Sequence, residues 1–158
     1  MFEEALAIRV ASLGADHPRV GVPLTGLADA LRRLGRLPEA EQRYLESVDL
    51  HRNTLPEGHP FISHPLVGLA STRAAMGRHQ SAADLYQEAL EIRRSSLEPT
   101  HWRIASTESL LGRELVALGR YDEGTLLMTS AVSKLETLLG SDNSRTVAAR
   151  ERLQEALK

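Results

Sequence analysis

The sequence contains no cysteine, which excludes disulfides, thiolate nucleophiles and cysteine metal sites. Aromatic residues make up only 4% of the chain, so a core of Leu, Ala and Val, packed closely through small side chains, is expected. No sign of charge dominates: the formal net charge is −2. A nucleic-acid partner would require a basic stripe to neutralise phosphates, and none is expected here. No apolar run approaches the roughly 20 residues of a membrane-spanning helix. The opening "MFEEALAIRV" is acidic and amphipathic, unlike a secretory signal. No nucleophile elbow, Gly-rich phosphate loop or His-Glu-x-x-His pattern occurs, so neither catalytic residues nor a cofactor is expected. What remains is an ordinary folded composition, 42% hydrophobic and 25% charged. The 158 residues fit one domain, residues 1–158, of a soluble, cytoplasmic, non-enzymatic protein.

What is present is a period. His17, His59 and His101 recur every 42 residues, and a further step lands on Asn143. Gly35-Arg36, Gly77-Arg78 and Gly119-Arg120 keep the same spacing, as do Leu13, Leu55, Leu97 and Leu139. Tyr44 and Tyr86 match each other, with Phe2 and Met128 at the flanking copies. Several columns sharing one period mark an internal duplication.

Each unit reads as two helices. Val20, Leu24, Leu27, Leu31 and Leu34 advance in steps of four and three, one helical face. The second copy gives Ile62, Leu66, Leu69 and Met76, interrupted by Arg73; the third gives Ile104, Leu111, Leu115 and Leu118, interrupted by Glu108. The glycines then supply the left-handed turn that ends a helix. Second helices follow, carrying Ala40, Tyr44 and Val48, then Ala82, Tyr86 and Leu90, then Met128, Val132 and Leu135. The expected architecture is all-α, an α-solenoid of antiparallel pairs with about eight helices. Its complete repeats are 17–58, 59–100 and 101–142, preceded by an orphan second helix at 2–13 and closed by a helix within 143–158.

"LGRLPEAEQRYLES", "MGRHQSAADLYQEA" and "LGRYDEGTLLMTSA" resemble the helix–turn–helix signature of tetratricopeptide repeats (TPRs). The 42-residue period and the "LGADHP" turn at 13–18 resemble the long, kinesin-light-chain variety rather than the usual period of about 34. "THWRIASTESLLGRELVALGRYDEG" and "LGSDNSRTVAARERLQEAL" are also similar to the C-terminal repeat arrays of bacterial serine/threonine kinases. This resemblance implies a right-handed superhelix whose first helices line a concave groove holding a peptide or protein segment. The alternatives it implies are a regulatory array of a kinase or other signalling protein, or a self-associating scaffold.

A helical wheel gives the face opposite the apolar stripe of the first helices, and the resemblance implies that this face lines the groove. The expected peptide-contacting residues are Thr25, Asp29, Arg32, Arg33, His64, Val67, Ser71, Ser106, Ser109 and Arg113. The arginines favour an acidic or C-terminal carboxylate ligand, because guanidinium makes paired bonds to carboxylates. The Asn-Asn pair that long repeats of this type often carry is replaced by Thr25-Gly26, Val67-Gly68 and Ser109-Leu110. The repeated histidines sit one repeat apart, too far for one metal, and are expected to punctuate turns. Pro23 and Pro65 each remove a helical hydrogen bond, so the first two first-helices should kink or start late, while the third runs straight through Thr107. Phe2, Leu6 and Leu13 lack a helix to pack on. Either the chain is cut from a longer array or a second copy covers 2–13 by self-association.

Overall fold

The computed structural model describes residues 2–158, with the side chains of residues 2, 3, 5 and 6 outside the described set. The expected contribution of Phe2 and Leu6 to an apolar patch therefore lies outside the described residues. Among the described residues eight α-helices follow one another: α1 (Phe2–Leu13), α2 (Gly21–Arg33), α3 (Leu37–Thr54), α4 (Ser63–Ala75), α5 (His79–Ser96), α6 (Trp102–Ala117), α7 (Tyr121–Leu139) and α8 (Ser144–Ala156). Among the described residues there is no strand.

Each first helix is opened by the residue of the histidine column. The Nδ1 atoms of His17, His59 and His101 accept hydrogen bonds from the backbone N–H of Arg19, Phe61 and Arg103, each at 3.2 Å. Asn143 does the same with its side-chain oxygen, accepting from the Arg145 N–H at 3.0 Å. These are N-caps, which satisfy one of the orphan donors at a helix start. An imidazole can fill the role only with Nδ1 unprotonated.

Each first helix ends on the glycine column. Gly35, Gly77 and Gly119 adopt φ of 75°, 76° and 81°. The following arginine N–H groups then reach back five residues, Arg36 to the Leu31 carbonyl, Arg78 to Arg73 and Arg120 to Leu115. The glycine N–H groups bond the Arg32, Ala74 and Val116 carbonyls. This is a Schellman motif repeated three times, and it turns the chain sharply enough for neighbouring helices to pack antiparallel.

The proline expectation resolves as a late start. Short 3-10 turns occupy Pro18–Val20 and Pro60–Ile62, and the α-helices begin only at Gly21 and Ser63. Pro23 and Pro65 thus fall in the first α-helical turn, where a missing N–H costs nothing. The α6 helix has no such prelude and runs from Trp102. The Arg19 carbonyl, four residues before Pro23, accepts from Arg9 Nη1 at 3.1 Å instead.

Helices pair through small residues. Ala28 faces Ala40 and Ala70 faces Ala82, all fully buried. In the third pair the crossing is Gly112 on Gly124: a Cβ on either would lie 2.6–2.7 Å from the other's carbonyl oxygen. Tyr44 and Tyr86 are fully buried in the core, with Met128 in their place in the third copy. First helices touch directly, α2 with α4 and α6 with α8. Second helices meet mainly through the first helices lying between them. The first helices therefore form the inner layer of the solenoid and the second helices the outer one.

Candidate functional site

The inner layer carries a polar row built on the two tyrosines. Tyr44 reaches through the α2–α3 seam and its hydroxyl donates to Asp29 Oδ1 at 2.5 Å. Asp29 Oδ2 lies 3.6 Å from His64 Nε2, so this carboxylate links α2 to α4. The Arg32 side chain also reaches the Tyr44 hydroxyl. Burial, followed by the bond to Asp29, pushes the Tyr44 phenol well above its ordinary value, so it remains a donor.

One repeat further, Ser71 Oγ and Tyr86 Oη lie 2.8 Å apart. Burial raises the Tyr86 phenol, and Arg113 and Arg152 on α6 and α8 are among the charges that face it. In the third copy Met128 offers no hydroxyl, so Arg113, at the position of Asp29 and Ser71, has no tyrosine partner. It pairs instead with the buried Glu114, Nη2 to Oε1 at 2.7 Å, whose other oxygen lies 2.8 Å from His79 Nδ1. Arg152 Nη1 donates to Ser109 Oγ at 3.1 Å. Its charge is disfavoured first by burial and then by Arg113 nearby.

The residues expected to line the groove fall in different surroundings. Asp29, Arg32 and His64 meet in one cluster, and Ser71 and Arg113 continue the row. Ser106 is half-buried and Arg33 exposed. Thr25 and Ser109, however, are 4% and 0% exposed and do not present an open surface. Thr25 Oγ1 donates to the Gly21 carbonyl at 2.9 Å and lies 2.8 Å from Ser47 Oγ, inside the α2–α3 seam. Val67 packs as an apolar residue against two core clusters. The physical reason is that a first helix is covered from two directions, by its own partner and by the neighbouring repeat. The side opposite its main stripe is therefore not all free. Arg152 was missed because α8 reads as a polar closing helix, although its arginine spacing could have marked a cation facing α6.

Among the described residues no group of three His, Asp or Glu is arranged to hold a metal ion, and no helix is long and apolar enough to cross a membrane.

The comparisons agree with this geometry. The tetratricopeptide repeat family model matches residues 1–53 and 61–124. Two crystal structures of a Podosopora anserina protein of kinesin light chain type, with nearly identical TPR-like repeats, are each 25% identical to the chain. They superpose with TM-scores of 0.78 and 0.76, over 98% of this chain and 73% and 74% of theirs. BtubC (BKLC) from P. vanneervenii shares the fold at 20% identity, with a TM-score of 0.74 over 98% of this chain and 61% of its own. No curated protein matches. With its histidine-capped first helices, its glycine turns and this family match over most of its length, the chain belongs to the tetratricopeptide repeat family, in the long, kinesin-light-chain-like form.

Proposed function

We propose that the chain is a non-catalytic protein-interaction module that holds an extended partner segment along its inner layer. The segment carries an acidic stretch or a free C-terminal carboxylate. The observation that carries this reading is that a second guanidinium, Arg152, faces the same tyrosine as Arg113, which is itself held by Glu114. Burial and mutual repulsion penalise the Arg152 charge, and among the described residues Arg152 makes no ion pair. A carboxylate between the two guanidinium groups relieves both penalties. The half-buried Ser71 hydroxyl, held by the buried Tyr86, adds one uncharged hydrogen-bonding position for a peptide backbone. At the other end, the Asp29–His64 link supplies a place where charge selectivity differs.

The test is a peptide array in which each sequence appears with a free acid and with an amidated C-terminus, probed with wild type and Arg113→Glu. The expected result is loss of binding of acidic or free-acid peptides by about tenfold or more on charge reversal. Retention of the same peptides at full strength by Arg113→Glu overturns the reading.

Self-association through α1 is a second reading, favoured by the exposure of Ile8, Val10 and Leu13 on that helix. Light scattering over a wide concentration range checks it, and a strict monomer removes it.

A further inference from the structure

One column of the repeat is filled by three different chemistries. Arg9, His51, Arg93 and Leu135 share it, each on the outer helix of its unit. Arg9 and Arg93 use Nη1 to reach the carbonyl ten residues on, that of Arg19 at 3.1 Å and that of Arg103 at 3.2 Å. Leu135 is fully buried and needs no partner. His51 is 2% exposed, yet neither of its ring nitrogens makes a hydrogen bond. A neutral imidazole carries one donor and one acceptor, so both go unsatisfied in the core.

Shape holds the ring instead. It fills the space left at Gly21, where a Cβ would overlap Nε2 and Cε1. The second and third copies carry Ser63 and Ala105 at that place. On its other side the ring centroid lies 6.3 Å from that of Phe61, in the 3-10 turn Pro60–Ile62. Phe61 is 57% exposed and meets His59 edge-on at 4.9 Å. The Pro18 carbonyl faces the ring from the first 3-10 turn, but it already receives the Gly21 N–H. His59 is the ionisable group that faces His51. Among the described residues, no carboxylate or guanidinium does so from α2, α4 or either turn. On α3 itself, Arg52 is committed to Glu88 of α5 at 2.7 Å.

We propose that His51 is a proton-sensitive latch at the seam between the first two complete repeats, closed while its imidazole is neutral and released in mild acid. A protonated ring has a second N–H and a full charge, and the packed site offers neither an acceptor nor a counter-ion. Reaching water means parting α3 from Gly21 or lifting Phe61, which is already more than half exposed. Burial disfavours the charged ring, the Pro18 carbonyl partly offsets this, and charge on His59 adds to it, so His51 titrates below its ordinary 6.5. The open form therefore binds the proton more readily than the closed form. The contribution of His51 to the seam is complete above 6.5 and declines as pH falls toward the lower value of the closed form. The same column in the next two repeats does not respond, because Arg93 stays charged and Leu135 never ionises. The latch works independently of what the inner layer binds.

The test is an NMR titration of the full chain from about pH 7.5 to 5, reading imidazole resonances together with amide exchange. His51 is expected to titrate below 6.5. Below that pH the opening constant of the α2 amides, corrected for intrinsic exchange, should rise about tenfold per pH unit, the slope of one proton taken up on opening. Amides of α6 and α7 should change far less. His51→Leu copies Leu135 and is expected to hold the α2 opening constant within about twofold over the same range. His59→Asn keeps the cap, as Asn143 does, and removes the facing charge. It should raise the His51 midpoint and keep the step, which tests the latch even if His51→Leu does not fold. Titration of His51 at its ordinary value with no rise in α2 opening overturns the proposal, as does an unchanged step in His51→Leu.

Discussion

The two seams between complete repeats occupy the same place in the fold and are sealed by different chemistry. In the first, Arg73 breaks the apolar stripe of α4 and joins Glu41 on the outer side. In the second, Leu115 keeps that place apolar, and the break comes two turns earlier, where Glu108 stands at the position of Leu24 and Leu66. Glu108 is 2% exposed and receives Arg94 from α5 at 2.9 Å and Lys134 from α7 at 2.8 Å. The pairs differ as well, since the α6–α7 crossing is Gly on Gly where the others are Ala on Ala. The caps and turns hold the repeating backbone, so the seams are free to diverge in charge.

The largest effect is expected at the glycine crossing. Gly112→Ala places a Cβ 2.5 Å from Met128 Cγ and 2.7 Å from the Gly124 carbonyl oxygen. Met128 can yield, but a backbone oxygen in a helix cannot without separating α6 from α7. Overpacking of this kind costs about 3 kcal/mol, lowering Tm by roughly 6–12 °C in thermal denaturation. The converse change, Ala70→Gly in the second pair, creates no clash and costs only about 1 kcal/mol, the loss of helix propensity. Equal effects from the two changes would show that the crossings are not the distinction drawn here.

The next effect concerns the first seam. Arg73→Leu makes α4 resemble α6 but leaves Glu41, with its side chain 14% exposed, held only by the more exposed Arg78. Removing one partner from a largely buried pair is costly, and the remaining arginine reduces the loss to about 2 kcal/mol. Adding Glu41→Ala reproduces the Ala83–Leu115 combination of the second seam. The double variant is expected to recover most of the loss in urea denaturation, and a strictly additive result would show that the two residues do not act as a pair.

These contrasts also show what was legible beforehand. The period, the glycine stops, the histidine turns and the late starts at Pro23 and Pro65 depend on residues close in sequence, and they could be read directly. Arg73 and Glu108 were visible as interruptions, but their partners lie 32, 14 and 26 residues away, on other helices. No single helical wheel brings such residues together. The burial of Thr25 was hidden for the same reason, because Ser47, which turns it inward, belongs to the neighbouring helix. Ser109 is covered by Arg152 from the far side of the repeat boundary.

A smaller effect is expected from Glu108→Gln. Burial raises the Glu108 carboxyl, but hydrogen bonds from Lys134 and then Arg94 outweigh it and hold the group below its ordinary value of 4.5. A depressed carboxyl stabilises the fold above its unfolded value, and that stability is lost as pH falls through the folded one. The variant is therefore expected to lose about 1 kcal/mol at neutral pH, since both cations are about half exposed and can turn to water. Below pH 4.5 the gap to wild type should narrow. A constant gap across the acid range would remove the ion-pair account of the second seam.

The smallest effect tests the part the two seams share. His101 and Asn143 cap α6 and α8 through the same acceptor geometry, at 3.2 and 3.0 Å. Asn is among the best N-cap residues, and it has no ring to protonate. His101→Asn should thus change stability by less than about 0.5 kcal/mol at neutral pH. The imidazole also lies 5.7 Å from the ring of Trp102, which Arg145 covers at 4.0 Å. The substitution removes that neighbour, so a small shift in tryptophan emission reports the local change while the melting transition stays in place. A loss of several degrees in Tm would mean that the imidazole stabilises this seam through its packing, and that the histidine column is more than a set of helix caps.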